Sequence, residues 1–331
     1  MSNGSLLQER IAYKGDLTML LRQVSKEYHI GDFRDYSVTP IGYEDLNLVL
    51  STTKGKYFVK IFVSFRDERE CRRYIAIMTT VVEKGIAHPR LFSSSQGVLY
   101  ETQLEGSSLF LCVMECIEGE NFEQLRYKSS KEEMQFIIKE AALINTLPLK
   151  PYPLYDSWAV IHFLQEYKEK GSVLPHEDGQ LLAPLLNRFS QLHIDQLPHC
   201  FVHGDIISTN IMKDVKGQLF IIDYSVANYY PRIQELAVLL CDVFFYPDDS
   251  KQSAFMYESV VNEYQKYIPL TEQEKDVLPF YIQFAHGMHL LRANYEKVAN
   301  NYMTAENEYF LNIGRSGLKM SYIDLLLHKK V

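Results

Sequence analysis

Apolar and polar positions follow two different periods in the first third of the chain. Helical spacing predicts one helix over residues 15–29 and another over residues 66–83, which ends before Gly85 and Pro89. Runs of β-forming residues predict four strands, and the first two are joined by a turn that contains Gly55. The predicted strands are residues 46–52, 57–62, 98–102 and 109–116. We therefore expect an antiparallel sheet with accompanying helices in this part of the protein.

From residue 120 onward, helical spacing dominates the pattern. The run Ser130-Lys-Glu-Glu133 matches a capping box and predicts a helix that continues to about Asn145. Four further amphipathic segments predict helices over residues 178–193, 232–245, 252–267 and 272–298. A chain of 331 residues also exceeds one ordinary hydrophobic core. We therefore predict an α+β protein with two domains, a β-rich region of residues 1–115 and a larger helical region of residues 116–331.

One segment of the second region, residues 201–223, departs from the helical pattern. Asp205 and Asn210 are five residues apart in a short stretch with apolar residues on both sides, which predicts a loop between two buried strands. After a turn at Gly217, a second apolar run ends at Asp223. One carboxylate can orient a hydroxyl nucleophile, while an amide and a second carboxylate can hold Mg²⁺ against the phosphates of ATP. This spacing predicts phosphoryl transfer.

The run His203-Gly204-Asp205, together with Asn210 and Asp223, resembles the motif of the aminoglycoside phosphotransferase and choline kinase superfamily. These enzymes are relatives of protein kinases that phosphorylate small molecules. The resemblance implies a bilobal, protein-kinase-like fold with a small β-rich N-lobe and a larger helical C-lobe. It also implies that Asp205 is the catalytic residue and that Asn210 and Asp223 bind the metal ion.

The resemblance extends over about residues 35–300 and assigns a phosphate-binding role to Lys60, in a predicted strand of the first region. A lysine in this role needs a carboxylate partner from the following helix. The family spacing favours Glu70 as that partner, and Glu68 remains an alternative because acidic residues are common at helix starts.

Two further segments resemble nucleotide-binding parts of the family. A loop with a single glycine, Gly42, and a closing Asn47 corresponds to the loop over the phosphates, although a protein-kinase glycine-rich loop is absent. The segment after the last predicted strand corresponds to the hinge between the lobes. There the backbone of Glu115 and Ile117 is expected to contact the adenine of ATP.

Composition limits the partners and the location of the protein. Lys and Arg number 34 against 42 Asp and Glu, which gives a net charge of −8 and argues against a nucleic-acid-binding surface. The five cysteines are odd in number and scattered, so no disulfide framework is predicted. With no apolar signal core at the N-terminus and no membrane span, we expect a cytoplasmic protein. No obligatory protein partner is evident.

The expected reaction is therefore transfer of the γ-phosphate of ATP, with Mg²⁺, to the hydroxyl of a small molecule. An antibiotic, an amino acid and an amino alcohol remain open as substrates, and the reduced loop around Gly42 leans toward amino-acid types. A nucleotide-binding pseudokinase or scaffold is one alternative, which retention of Lys60, Asp205, Asn210 and Asp223 together opposes. A protein kinase is another, which the lack of an Ala-Pro-Glu segment after Asp223 opposes.

Overall fold

The computed structural model describes residues 7, 10–13, 15–39 and 45–320, and these fall into two compact units. The first unit comprises the residues up to Gly119 together with Met212–Ile222. The second comprises Glu120–Ile211 and the residues from Asp223 onward. The predicted boundary between residues 115 and 116 is a single cut and stays a prediction. A boundary at one position does not describe the segment 212–222, which belongs to the first unit although it follows the second unit's first segment in the sequence.

The first unit is built on an antiparallel five-stranded sheet in the order β1-β2-β3-β5-β4. Its strands are β1 Phe33–Thr39, β2 Leu46–Thr52, β3 Gly55–Ile61, β4 Tyr100–Leu104 and β5 Ser107–Glu115. Alternate residues of β2 (Leu46, Leu48 and Leu50) are fully buried in a core shared with helix α1, Thr18–Glu27. β1 was not predicted, because polar residues such as Arg34 and Asp35 interrupt its alternation.

Helix α2, Glu68–Glu83, follows the sheet strands β2 and β3 and confirms the predicted helix. The Asp67 carboxylate accepts the Glu70 N–H at 2.8 Å and so caps its N-terminus. The helix ends where Gly85 adopts a φ of 74°, which a glycine tolerates without strain. Three short strands form a separate sheet in the order β6-β8-β9: β6 Gly119–Asn121, β8 Ile211–Asp214 and β9 Leu219–Ile221.

The second unit is predominantly helical. Its helices are α3 Phe122–Leu125, α4 Lys131–Asn145, α5 Phe163–Lys170, α6 His176–Ser190, α7 Ile233–Cys241, α8 Ser250–Tyr264, α9 Glu272–Ala299 and α10 Ala305–Lys319. The predicted capping box is present, with the Ser130 side chain on the Glu133 N–H and the Glu133 side chain on the Ser130 N–H. Strands β7 His199–Val202 and β10 Asn228–Pro231 form an antiparallel pair. In the described part of the chain, no helix combines the length and apolar character that a membrane crossing requires.

The α+β fold class is confirmed, with a β-sheet N-terminal region and a helical C-terminal region. Helices α3, α5 and α10 were not predicted. In α10, Gly314 and Gly317 weaken the helical signal, since glycine is a poor helix former. The same glycines permit close packing on α9: a Cβ at Gly314 would lie 2.8 Å from the Leu290 backbone nitrogen, and one at Gly317 would overlap the His286 ring.

Candidate active site

Asp205 lies in the loop that follows β7, and a glycine gives this loop its shape. Gly204 adopts a φ of 80°, in the left-handed region that glycine enters without strain. The His203 side chain is fully buried, and its Nδ1 accepts a hydrogen bond from the Asp205 N–H at 3.2 Å. Because Nδ1 is the acceptor, a neutral His203 carries its proton on Nε2. His203 therefore supports the loop from within the protein.

Glu235, in the first turn of α7, holds the backbone of the same loop. Its Oε2 accepts the N–H groups of His203 at 2.7 Å and Gly204 at 3.3 Å. Burial raises the pKa of Glu235 to about 7, although these two hydrogen bonds favour the charged form. Two side chains therefore hold the backbone of this loop: His203 from within the loop and Glu235 from α7.

Asn210 holds the side chain of Asp205 in place. Its Nδ2 donates to the Asp205 Oδ2 at 2.7 Å and to the Asp205 carbonyl oxygen at 2.9 Å. A one-turn 3₁₀ helix, Ser208–Asn210, provides the curvature that returns Asn210 to Asp205. Since the amide nitrogen is used for Asp205, the amide oxygen is the atom of Asn210 with metal-binding chemistry.

Asp205 lies in strongly negative surroundings. Burial is the largest cause that raises the pKa of Asp205 well above its usual range, followed by the negative charges of Asp223, Asp156 and Asp242. The hydrogen bond from Asn210 opposes this shift. A carboxyl group with a raised pKa is a better proton acceptor once ionised, which suits a group that orients and deprotonates a hydroxyl.

Asp223 follows strand β9, as predicted, and adopts an unusual backbone conformation. Its φ is 66°, in the left-handed region that residues with a Cβ rarely enter. The Asp223 Oδ1 accepts the Ser225 N–H at 3.3 Å. Backbone strain of this kind is concentrated at functional sites, where it aims a side chain that relaxed geometry would direct elsewhere.

Asp242, which was not among the predicted site residues, anchors the middle of the loop that carries Asp205 and Asn210. Its Oδ1 accepts both the backbone N–H of Ser208 at 2.8 Å and the Ser208 hydroxyl at 2.5 Å. Its Oδ2 accepts the Tyr309 hydroxyl of α10 at 3.1 Å. The residue is 2% exposed and lies at the end of α7. In the sequence, the feature that could have pointed to Asp242 is its position as a single charge inside the apolar run 236–245.

The predicted metal-binding residues supply two oxygen donors. Within the described residues, no group of three or more His, Cys, Asp or Glu side chains forms a metal cluster. Asn210 and Asp223 contribute one amide and one carboxylate, which are the oxygen ligands that Mg²⁺ prefers. Such an ion typically uses only one or two protein groups and completes its coordination with water and phosphate oxygens. The donor chemistry fits a hard divalent cation, and the two assignments stay predictions.

In the first unit, Lys60 on β3 lies directly opposite Asn47 on β2, so two predicted nucleotide-binding residues are neighbours in the sheet. The Lys60 side chain is 5% exposed. Its Nζ lies 5.1 Å from the centre of the Tyr74 ring of α2. This burial excludes the ordinary alternative of a solvated lysine on a surface strand.

Asp45, immediately before β2, is the centre of a buried charge cluster. Its Oδ2 lies 3.3 Å from Lys60 Nζ and 3.5 Å from Arg66 Nη1. Its Oδ1 accepts the Val63 N–H at 3.1 Å, and its backbone carbonyl accepts the Arg10 guanidinium at 2.6 Å. Sequence reasoning missed Asp45 in this role, because it considered only helix carboxylates as partners of Lys60.

Neither predicted partner of Lys60 forms an ion pair with it in the described part of the chain. Glu70 lies in the first turn of α2, and no ion pair joins it to Lys60 within the ranges that the structure describes. Glu68 forms an exposed pair with Arg72, with 2.6 Å between Oε1 and Nε. Among the described residues, Lys60 forms an ion pair with Asp45, which approaches it from the neighbouring strand end, and a role for Glu70 or Glu68 stays a prediction.

The remaining predicted nucleotide contacts lie at the end of β5. Glu115 is its last residue, and the Glu115 N–H donates to the Arg90 carbonyl at 2.8 Å. Ile117 follows in the irregular segment before β6. Adenine binding by these two backbone positions stays a prediction. Gly42 lies outside the described residues, so its role in the nucleotide loop also stays a prediction.

Known proteins with similar sequences are phosphotransferases. The sequence model of the phosphotransferase enzyme family (APH) matches residues 35–269. A homoserine kinase of Neisseria meningitidis serogroup B is 21% identical over 253 residues, an alignment that covers 76% of this chain and 80% of the relative.

Solved structures agree in fold. An amicoumacin kinase in complex with AMP-PNP and Ca²⁺ gives a TM-score of 0.66 at 15% identity, with 94% of each chain covered. A microcompartment-associated aminopropanol kinase gives 0.63 at 11% identity, with 95% of this chain and 98% of the other covered.

Because the family match spans most of its length, the chain belongs to the phosphotransferase enzyme family. It is a small-molecule kinase that uses an alcohol group as acceptor, as the resemblance at residues 203–223 predicted.

Proposed function

We propose that the protein transfers the γ-phosphoryl group of ATP, with Mg²⁺, to the hydroxyl of a small amino-acid-like molecule of the homoserine type. The observation that carries this proposal is the Asp205 carboxylate, which Asn210 holds at 2.7 Å in a loop braced by Glu235. The homoserine kinases among the relatives support an amino-acid substrate. Its predicted place of action is the cytoplasm.

The role of Asp205 follows from its chemistry. Its carboxylate accepts a hydrogen bond from the acceptor hydroxyl and takes up the proton as that oxygen bonds to the γ-phosphorus. The bond between the γ-phosphorus and the bridging oxygen breaks, and its electron pair leaves with ADP. Asn210 keeps the carboxylate oriented, because one of its oxygens is already occupied by the amide. A divalent cation held by Asn210 and Asp223 neutralises phosphate charge when bound.

The first unit supplies the nucleotide-binding groups in this proposal. The Lys60 ammonium binds the α- and β-phosphates, and the loop from Gly42 to Asn47 covers them. The backbone of Glu115 and Ile117 contacts the adenine ring. These roles rest on the family resemblance and on the burial of Lys60 beside Asn47.

The test is acceptor-dependent release of ADP from Mg·ATP by the purified protein. The panel contains homoserine, hydroxylysine, aminopropanol, choline and an aminoglycoside, and mass spectrometry identifies the product. We expect the highest kcat/KM with homoserine. Homoserine methyl ether is the matched control, because it keeps every group except the reacting hydroxyl and must give no product.

Two other results would be informative. A clear preference for aminopropanol, choline or the aminoglycoside would overturn the amino-acid substrate and leave the phosphotransferase activity intact. ADP release that is the same with and without every acceptor would contradict transfer to these hydroxyl compounds.

A further inference from the structure

The carboxylate of Asp45 is held in a fixed orientation inside the first unit. Its side chain is 4% exposed, and Oδ1 accepts the backbone N–H of Val63, two residues after β3 ends. That hydrogen bond directs the other oxygen, Oδ2, toward the Lys60 ammonium at 3.3 Å. The backbone thus sets the position of the carboxylate, and the carboxylate in turn sets the position of the lysine head group.

Two cations share the Asp45 carboxylate. The Oδ2 atom that faces Lys60 also lies 3.5 Å from the Arg66 guanidinium, and a second guanidinium, that of Arg10, bonds to the Asp45 backbone carbonyl. The carboxylate is therefore divided between Lys60 and Arg66 and is not reserved for the lysine. An isolated lysine–carboxylate pair would be neutral, whereas this arrangement keeps an attraction for a polyanion such as a nucleotide triphosphate.

Asp45 also connects Lys60 to the predicted nucleotide loop. The loop runs from residue 41 to residue 47, and Asn47 at its end is the cross-strand neighbour of Lys60. A lysine on a flexible four-carbon stem needs an anion to restrict its head group. In this structure the restricting anion comes from the loop, since Glu70 has no ion pair with Lys60 in the described ranges.

We infer that Asp45 is the positioning carboxylate of Lys60, in the role that the family resemblance assigned to Glu70. The inference rests on the proposed nucleotide-binding function. It predicts that the contributions of Asp45 and Lys60 to nucleotide affinity are coupled, because Asp45 acts through Lys60.

A double-mutant cycle on the full chain tests the coupling. Calorimetry measures the Kd for Mg·ATP in the wild type, Asp45→Asn, Lys60→Met and the double variant. We expect each single substitution to weaken binding about tenfold or more, and the double variant to bind within about twofold of Lys60→Met. Asp35→Asn is the matched control, because that carboxylate lies exposed on β1 of the same sheet.

The unfolding temperature of each variant separates folding from binding. If Asp45→Asn does not fold, Asp45→Glu takes its place in the cycle, because it keeps the charge and displaces the carboxylate by one methylene. Weaker binding by the Asp45 single variant together with equal affinities of Lys60→Met and the double variant supports the inference. Wild-type affinity in the Asp45 single variant, or a further tenfold loss in the double variant, overturns it.

A fifth variant, Glu70→Gln, compares the two candidate partners directly. A loss smaller than that of Asp45→Asn supports the inference. A larger loss that vanishes in the Lys60→Met background overturns it and restores Glu70 as the partner. If the wild type itself does not bind Mg·ATP, the proposed function fails and this inference fails with it, whereas additive losses overturn the inference alone.

Discussion

Each of the two units contains a buried carboxylate, and the groups around these two carboxylates are opposite in charge. In the first unit, Asp45 lies among basic groups, with Lys60 at 3.3 Å and Arg66 at 3.5 Å. In the second, Asp205 is influenced by other carboxylates, of which Asp223 has the largest effect on its pKa. Among the described residues, the cations Lys60 and Arg66 face the carboxylate of Asp45, whereas three further carboxylates act on Asp205.

This difference indicates what each cluster can bind. An excess of buried positive charge favours a polyanion, such as the phosphates of a nucleotide. Several neighbouring carboxylates favour the binding of a divalent cation. They also raise the pKa of one carboxyl group, which makes it a better proton acceptor. Phosphoryl transfer needs both environments, and neither alone would identify a kinase. The predictions below change the charges or the hydrogen bonds of the second cluster, from the largest expected effect to the smallest.

Asp205→Asn removes the proton acceptor and keeps its shape. We expect the turnover number to fall by about 10²–10⁴-fold, because general-base catalysis and hydroxyl positioning are both lost. The Kd for Mg·ATP should stay within about threefold of the wild type, since the cation proposed to bind the phosphates, Lys60, belongs to the first unit. Steady-state kinetics and calorimetry on the same preparation provide both values.

The control for this variant is Asp195→Asn, which removes an exposed carboxylate of the second unit. Its kinetics should match those of the wild type. Turnover by Asp205→Asn within about threefold of the wild type would contradict the catalytic assignment.

Asp223→Ala removes the carboxylate predicted to bind the metal ion. We expect the Mg²⁺ concentration for half-maximal activity to rise by about 10-fold or more, because a charged ligand is lost. Asn210→Ala should raise it less, since water can replace a neutral amide oxygen, but it should also lower turnover by freeing Asp205. Titration of Mg²⁺ at fixed ATP distinguishes the two variants, and an unchanged metal requirement in both would refute the metal site.

Much of the fold followed from periodicity. The strand Leu46–Thr52 and the helix that ends at Asn145 were predicted with the correct final residues, because apolar alternation and a capping box are local signals. Strand β1 and helix α10 were missed. Their stability comes from pairing with β2 and from packing on α9, which a local pattern does not contain.

The residues of the candidate site also fall into those that a local sequence pattern predicted and those that it missed. The spacing of Asp205 and Asn210 was readable from the sequence because both belong to one short loop, and the structure joins them by a hydrogen bond. Asp45 and Asp242 act across 15 and 34 residues of sequence, on Lys60 and Ser208 respectively. No local rule connects such positions, so the partner of Lys60 was sought in the nearest helix and not at the neighbouring strand end.

Asp156→Asn reduces the negative charge near Asp205 without removing a predicted ligand. The Asp156 charge raises the pKa of Asp205, so its removal lowers that pKa. Asp205 must be ionised to accept a proton, and activity is therefore lost as pH falls through its pKa. We expect the acidic limb of the pH profile of kcat/KM to move to lower pH in this variant. The profile of Asp195→Asn should overlay the wild type, and an unmoved or oppositely displaced limb in Asp156→Asn would contradict the assigned coupling.

Tyr309→Phe should have the smallest effect, because it removes only one of the hydrogen bonds that orient Asp242. The Oδ1 of Asp242 would still hold Ser208 through two hydrogen bonds, while Oδ2 would lose the Tyr309 hydroxyl at 3.1 Å. Loss of a hydrogen bond to a charged group costs about 1.5–3 kcal/mol of folding stability. We expect a lower unfolding temperature and a decrease in turnover of about threefold with KM for ATP unchanged, since the change reaches Asp205 only through the loop. Tyr267→Phe, on a partly exposed tyrosine of the same unit, is the matched control. If turnover fell as far in Tyr309→Phe as in Asp205→Asn, the contact with α10 would matter as much for activity as the Asp205 carboxylate. That result would contradict the assigned order of effects.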